Sequence, residues 1–367
     1  MTPPRVVVDA TAVPASPSGA GRYVLELVAA LAAADEVSLG VVSRRGDQDR
    51  WRWLAPDAVV AAAAPGWRPA RLAWEQLAMS KVARRLGADV YHGPHYTMPE
   101  RLSRPVVVTI HDLTFFDHPE WHEPSKQRFF RRATRVAAAR AAALVCVSKT
   151  TADRLQALLP PNGLVHVIPH GVDHDRYRPT RSPDAAAAGG VPYIGFVGTL
   201  EPRKDIPTLV RAFDGVADRH PDIRLRIAGH AGWGARAVNE AVAASRHRHR
   251  IDLLGYLPED DVPAFLRSAA AVAYPSLAEG FGLPALEAMA CGAPLVTTSG
   301  TAMEEVVGDG ALLVSPSSPG ELADALCSIL DDAAETEHRR ARGLAIAARY
   351  TWQASAAAHA DVYRSVR

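Results

Sequence analysis

Hydrophobic residues in the first half of the chain come in short unbroken runs separated by stretches of mixed polarity. Val6-Val7-Val8-Asp9 is the first such run, and its lack of polar alternation predicts a strand buried on both faces, as in a parallel sheet. A Pro/Ser/Gly loop follows, and then Gly19-Ala20-Gly21-Arg22-Tyr23 opens a segment with Leu25, Leu27, Val28 and Leu31 on one helical face. Further strands are predicted at Val37–Val42, Ala58–Ala62, Asp89–His92 and Pro105–Ile110, with a helix near Pro69–Arg85 and a basic one over Lys126–Arg140. Val165–Ile168 reads as the last strand of this half. The βα rhythm predicts an α/β, doubly wound sheet.

Residues 176–190, rich in Pro, Ala and Gly and without hydrophobic period, read as a linker. The pattern then restarts with strands at Tyr193–Val197, Arg224–Ala228, Ile251–Leu254, Ala271–Tyr274, Pro294–Thr297 and Ala311–Val314. A chain of 367 residues exceeds the size at which one core usually keeps growing, so a second domain is expected. The division predicted is 1–175, linker 176–190, and 191–350, with 351–367 as a closing helix.

Composition adds little. The net charge of +1 implies no nucleic acid or other bulk polyanion partner. Cys146, Cys291 and Cys327 are widely spaced in apolar segments and read as reduced core residues of a cytoplasmic protein. The chain shows no signal-peptide pattern and no run near the ~18 apolar residues a membrane span needs.

The richest chemistry lies in Ala270–Thr298, AAVAYPSLAEGFGLPALEAMACGAPLVTT. It predicts a strand, a glycine-rich loop over Ser276–Leu283, a helix from Pro284 ended by Gly292, and another strand. The loop therefore meets the unpaired N–H groups and positive dipole end of a helix, which favour anions and phosphates above all. Gly280 and Gly282 allow close backbone approach. Glu279 and Glu287 frame the loop and suit hydroxyl pairs, so a phosphate-bearing polyol such as a nucleotide sugar fits. Spacing alone equally allows a plain strand–turn–helix with Glu287 as a dipole partner.

EGFGLPALEAMACGAPLV closely resembles the E-x7-E signature of retaining GT-B glycosyltransferases of family 4. GTLEPRK, Gly198 to Lys204, resembles a branch of that family containing bacterial O-antigen mannosyltransferases. The resemblance covers nearly the whole chain. It implies a GT-B fold, two Rossmann-like doubly wound domains facing across a cleft, with the closing helix crossing back to the first. It also implies a hexose transferred with retention from a nucleotide-diphosphate sugar to a glycan, lipid-linked or small-molecule acceptor. No cofactor and no metal are implied, and the branch points to mannose, with GDP-mannose as donor.

Residue by residue, the resemblance implies that Glu287 binds the ribose hydroxyls and Glu279 a hydroxyl of the donor sugar. Backbone at Gly280, Phe281, Gly282 and Leu283 meets the sugar or phosphate. Arg203 and Lys204 grip the diphosphate beside Gly198 and Thr199, and Tyr256-Leu257 contacts the base. Gly19 and Gly21 form the glycine loop across from the phosphates. His111, at a strand end in an HDL-like segment, becomes a catalytic candidate with Arg203, Lys204 and Glu279, while Asp112 equally suits a turn cap.

Other features read more plainly. Gly19-x-Gly21 lacks the third glycine of a dinucleotide site, because Val24 stands there, which disfavours a dehydrogenase. Asp173-His174-Asp175 imitates a DxD metal motif but lies at a domain exit. His170 stands where the family has asparagine in a PNGVD-like turn. Lys126–Arg140 reads as a surface helix, with contact to an anionic membrane face as the alternative, which would place the protein at the inner membrane surface. Trp51, Trp53, Trp67 and Trp74 are expected to be buried by default, with lining of an acceptor pocket as the alternative, since aromatic faces stack on sugar rings. A GT-B nucleotide-sugar 2-epimerase and a non-catalytic nucleotide-sugar-binding protein remain the rival readings.

Overall fold

The computed structural model describes residues 2–17, 19–179 and 190–367. Most of the predicted linker, residues 180–189, lies outside the described residues. Two compact units are present: Met1–Gly171 with Thr351–Arg367, and Val172–Tyr350.

The first unit is built on seven strands: β1 Arg5–Asp9, β2 Ser38–Arg44, β3 Val59–Ala64, β4 Val90–Gly93, β5 Val106–Ile110, β6 Ala143–Cys146 and β7 Leu164–Val167. They pair in parallel in the order β3-β2-β1-β4-β5-β6-β7. The apolar runs Val6–Val8 and Val106–Ile110 are central and fully buried, which is why they carry no polar alternation. β6, a four-residue run that sequence periodicity passed over, completes the sheet between β5 and β7. The helices Gln48–Leu54 and Lys149–Leu158 also escaped that reading. Each is at most ten residues, too short for a clear 3.6-residue period.

The second unit has β8 Tyr193–Val197, β9 Arg224–Ala228, β10 Ile251–Gly255, β11 Ala271–Tyr274, β12 Leu295–Thr298 and β13 Leu312–Val314. All are parallel, in the order β10-β9-β8-β11-β12-β13. Each sheet thus reverses its strand order once, between β1 and β4 in the first and between β8 and β11 in the second. Loops leaving the carboxyl ends of strands at such a reversal diverge, and the crevice between them is where ligands bind in doubly wound sheets.

Two of the tryptophans depart from the expected burial. Trp51 is fully buried, whereas Trp53 and Trp67 are 81% and 73% exposed. No helix among the described residues is long and apolar enough to cross a membrane.

The closing helix Trp352–Val366 packs within the first unit through a hydrogen-bonded relay whose directions can be worked out. His359 Nδ1 donates to Ser355 O (2.7 Å), so Nε2 of the neutral ring must accept from Tyr23 Oη (2.9 Å). Tyr23 then accepts from Thr109 Oγ1 (2.9 Å), Thr109 accepts from His92 Nε2 (2.8 Å), and His92 Nδ1 accepts from Tyr363 Oη (2.8 Å). In this direction the chain closes with both rings neutral. Burial agrees: it lowers His92 well below the usual histidine range and His359 to about 4. Because the folded state resists protonation here, stability is full above the unfolded histidine value near 6.5 and is lost as pH falls toward 4. At pH 5 each such histidine should cost up to about 2 kcal/mol, so the urea midpoint should fall clearly between pH 7.5 and 5. A midpoint that stays level over that range, in a chain that still unfolds cooperatively, would contradict the relay.

Candidate functional site

The reversal between β8 and β11 brings together the two stretches singled out above. After β8, residues 198–201 lead into a single tight turn, Pro202–Lys204, closed by Lys204 N donating to Glu201 O (3.0 Å). After β11, the loop reaches back until Leu277 N donates to Arg203 O (2.7 Å), which ties the loops at the backbone. Gly229, at the end of β9, lets the first loop sit low: a Cβ there would lie 1.9 Å from Gly198 O.

Side chains then lock the loops together. Glu279 accepts from Arg203 Nη1 (2.5 Å) through Oε2 and from Lys204 Nζ through Oε1. Arg203 Nε also donates to Glu201 Oε2 (2.9 Å). Two cations and two carboxylates make a closed cluster of no net charge. Burial alone would raise the Glu279 carboxyl, but the Arg203 guanidinium and Lys204 ammonium bring it down to about 2. Burial, and after it the Arg203 charge, lowers Lys204. The Glu279 carboxylate is therefore ionised at neutral pH.

Lys204 is a buried cation, so its removal disturbs the fold as well as the site. It is only 7% exposed, because its ammonium must reach the buried Glu279. The sequence reading missed Glu201 as a partner, although it stands inside the quoted GTLEPRK string.

The helix Leu283–Ala290 begins at Gly282, which is held at φ +100° and whose missing Cβ would sit 2.5 Å from Met303 Cγ. Both backbone angle and space therefore demand glycine. One turn on, Glu287 is buried on the inner face of this helix and acts electrostatically on Tyr274 at the end of β11, whose hydroxyl burial raises first. At the end of β10, Tyr256 is 53% exposed and stacks on His230, ring centres 4.4 Å apart. That histidine was not foreseen. Thr199 is half-buried beside Gly198, and Leu257 half-buried after Tyr256.

Three candidates lie in the first unit. Gly19 precedes the helix Ala20–Ala34 at φ +50°, and Gly21 is buried in its first turn against Pro14 and Pro17. His111 follows β5, donates from Nε2 to Pro94 O (2.8 Å), and is lowered to about 4 by burial. Asp112 Oδ1 accepts from Thr114 N (3.1 Å) and Oγ1 (2.8 Å), which makes it the turn cap allowed for above. Asp173 is likewise a turn former, accepting from Asp175 N (3.0 Å) and Arg176 N (3.2 Å). In the basic helix Pro124–Arg140, Lys126 pairs with Glu123, Arg132 and Arg140 with Glu100, and Arg131 caps Phe115 O.

Two doubly wound units, one carrying a buried cationic turn and a glycine-gated helix start at its strand reversal, define the architecture of a GT-B glycosyltransferase. Comparison with known proteins gives the family. Residues 17–176 match the description "Glycosyltransferase Family 4" and residues 178–344 match "Glycosyl transferases group 1". An O-antigen chain mannosyltransferase B of Escherichia coli is 30% identical over 365 residues, covering 92% of this chain and 93% of that one. The chain belongs to this glycosyltransferase family. The fold is shared with sucrose-phosphate synthase from Thermosynechococcus elongatus (TM-score 0.81, 21% identity, 99% and 98% of the two chains). It is also shared with Anabaena Alr3699/HepE in complex with UDP-glucose (TM-score 0.76, 20% identity, 98% and 99%).

The cluster makes a stability prediction of its own. Replacing Glu279 by Ala leaves the buried Lys204 ammonium without its carboxylate, and breaking such a pair typically costs about 3–5 kcal/mol. Glu201→Ala, at a carboxylate that is 35% exposed, should cost well under half of that. Comparable losses in urea unfolding for both variants would mean that burial of the cluster is not what gives it its strength.

Proposed function

We propose that this transferase moves a hexose from a nucleotide-diphosphate sugar to a glycan, lipid-linked or small-molecule acceptor with retention of configuration. The observation that carries the reading is the pairing of Arg203 and Lys204 with Glu279 beside the start of helix Leu283–Ala290. It sets two cations and a helix dipole around one place. Glu287 is the candidate for the ribose hydroxyls, and the backbone at Gly280–Leu283 for the sugar and its phosphate.

In this mechanism the bond from the sugar anomeric carbon to the phosphate oxygen breaks, and the acceptor oxygen bonds to that carbon on the same face. The acceptor proton passes to the departing phosphate oxygen, and the nucleoside diphosphate leaves. Negative charge grows on the diphosphate as the bond breaks, so cations fixed beforehand stabilise the transition state more than the ground state. Glu201 and Glu279 do the fixing: each holds a cation in place before the donor arrives. Glu279 then acts as a positioning and binding group rather than a nucleophile. Diphosphate charge is met by side chains and a helix end, so no metal is required for the donor.

The mannosyltransferase relative supports mannose as the sugar and GDP-mannose as the donor, whereas the structural neighbour with UDP-glucose supports the other base. A thermal-shift screen against GDP-, UDP-, dTDP- and ADP-sugars decides between them, since a ligand at a hundred times its Kd stabilises by about 2.7 kcal/mol. Absence of any shift would sink the donor assignment. Release of a free sugar epimer without acceptor would point to the epimerase instead.

Two substitutions test the roles. Glu287→Ala should weaken donor binding about ten- to a hundredfold by loss of a charged hydrogen bond, with unchanged affinity removing Glu287 from the site. Lys204→Ala should lower kcat by ~10²–10³ with a smaller loss of donor affinity. Because Lys204 is buried, that comparison is made below the variant's own melting temperature. Near-wild-type turnover in the folded variant would remove the diphosphate clamp.

A further inference from the structure

The reversal of strand order in the first sheet, between β1 and β4, holds a second group of buried charges that the reading above leaves unused. Asp9 ends β1 and accepts hydrogen bonds from Thr11 N (2.8 Å) and from Tyr91 Oη of β4 (2.9 Å). The helix Arg68–Leu77 lays Glu75 against the same crevice. Glu75 is 1% exposed; its Oε2 accepts from Thr97 Oγ1 (3.2 Å), and Arg71 Nη1 stands 3.9 Å away. That guanidinium is turned partly aside, donating to Thr11 Oγ1 (3.2 Å). Glu75 Oε1 has no hydrogen-bond partner among the described residues. An unused carboxyl oxygen at full burial is costly, and such groups concentrate where a ligand supplies the missing partner.

Glu75 also lines a cavity of about 160 Å³ between helix Arg68–Leu77, helix Pro124–Arg140 and the loop after β4. A void of roughly 150 Å³ takes one six-membered ring. Phe129, Leu72 and Val136 give the cavity an apolar wall, and Glu75 with Thr97 a polar one. Gln76 holds the loop in place, donating to Met98 O (3.0 Å) and accepting from Glu100 N (3.0 Å). Glu100 pairs with Arg132 (2.6 Å). An aromatic face opposite hydrogen-bonding groups suits a sugar ring, whose C–H face is apolar and whose edge carries hydroxyls.

We propose that this cavity is a subsite for one sugar ring of the acceptor, and that Glu75 Oε1 meets a ring hydroxyl there. Its assignment to the acceptor rests on the glycosyl-transfer reading; sugar binding in the cavity does not. Burial, and after it the Asp9 charge, pushes the Glu75 carboxyl up to about 8, against the pull of Thr97 and Arg71. The group is thus protonated at neutral pH and can both donate and accept. The charged and titratable groups that act on it are Asp9 and Tyr91 of the strands and Arg71 of its own helix, and Glu100 and Arg132 line the same cavity. The folded state holds this proton more tightly than the unfolded one, so the Glu75 contribution to stability falls as pH rises from about 4.5 to 8, opposite in sign to that of the buried histidines. Glu75→Gln, neutral at every pH, should abolish that slope and be the more stable protein at pH 8.

The test is saturation-transfer NMR on the full chain with methyl α-D-mannopyranoside, methyl α-D-glucopyranoside and methyl α-L-rhamnopyranoside at millimolar concentration. The wild type should bind at least one of them, and Glu75→Leu should bind it about tenfold or more weakly. Affinity for the nucleoside diphosphate should be unchanged in that variant. Binding to the wild type should change between pH 7 and 9 as Glu75 ionises, and binding to Glu75→Gln should not. No glycoside bound by the wild type, equal binding by Glu75→Leu, or the same pH profile in Glu75→Gln would each overturn the subsite. Glycoside binding without any nucleotide-sugar binding would keep the subsite and discard the transfer reading.

Discussion

One carboxylate between two cations organises the second unit. Glu279 lies on the loop after β11, and Arg203 and Lys204 lie on the turn after β8, more than seventy residues earlier. They meet because the strand order reverses between those two strands. Taking three charges out of water is expensive, and the cost is offset only where geometry satisfies each of them. Here every charged group is answered: Arg203 by two carboxylates, Lys204 by one, Glu279 by both cations. The turn, the glycine loop and the start of helix Leu283–Ala290 are thereby held as one piece. A catalytic electrostatic site must be rigid before the reaction starts, or the gain is lost to reorganisation. In the proposed donor site the pairing of Arg203 and Lys204 with Glu279 would supply that rigidity.

The sequence carried much of this. Unbroken apolar runs predicted buried parallel strands, and both sheets contain them. GTLEPRK and EGFGLPALE were visible as strings with chemistry in them, and the fold sets them side by side. Less was legible where information is not local. β6 is a four-residue run whose strand character comes from neighbours on both sides, and nothing in ALVC separates strand from helix. The burial of Lys204 could not be read from its own neighbours, since it depends on a carboxylate far along the chain. Trp53 and Trp67 were expected inside on general grounds, and only packing shows them outside.

Histidines show the same limit from another side. His92, His111, His170 and His359 are scattered over the chain and give no motif together. Their rings are buried in one unit and all are lowered. His170, in the turn that resembles the family's PNGVD pattern, packs its ring beside Tyr23 and Trp352. His359 and His92 serve as neutral hydrogen-bond links, a role that needs one nitrogen donating and the other accepting. Such a relay is invisible to spacing, because its members come from β4, β5 and two helices. It commits the first unit to a pH range in which imidazole is uncharged.

The two strand reversals solve the problem of buried charge differently. In the second unit the cations and carboxylates balance. In the first, Asp9 is served by Thr11 and Tyr91, while Glu75 beside it has one oxygen partnered and one not. A fold selected for stability alone would replace that carboxyl with an apolar side chain of similar volume, since a buried ionisable group without a full set of partners is a net loss. Retaining it at the crevice, where the sheet topology already favours ligands, is hard to account for by packing. The residue costs the fold something, and in the proposed subsite a ring hydroxyl would recover that cost. The same logic explains why Glu75 was silent in the sequence: WEQ on an amphipathic helix looks like any solvent-facing charge until the fold turns it inward.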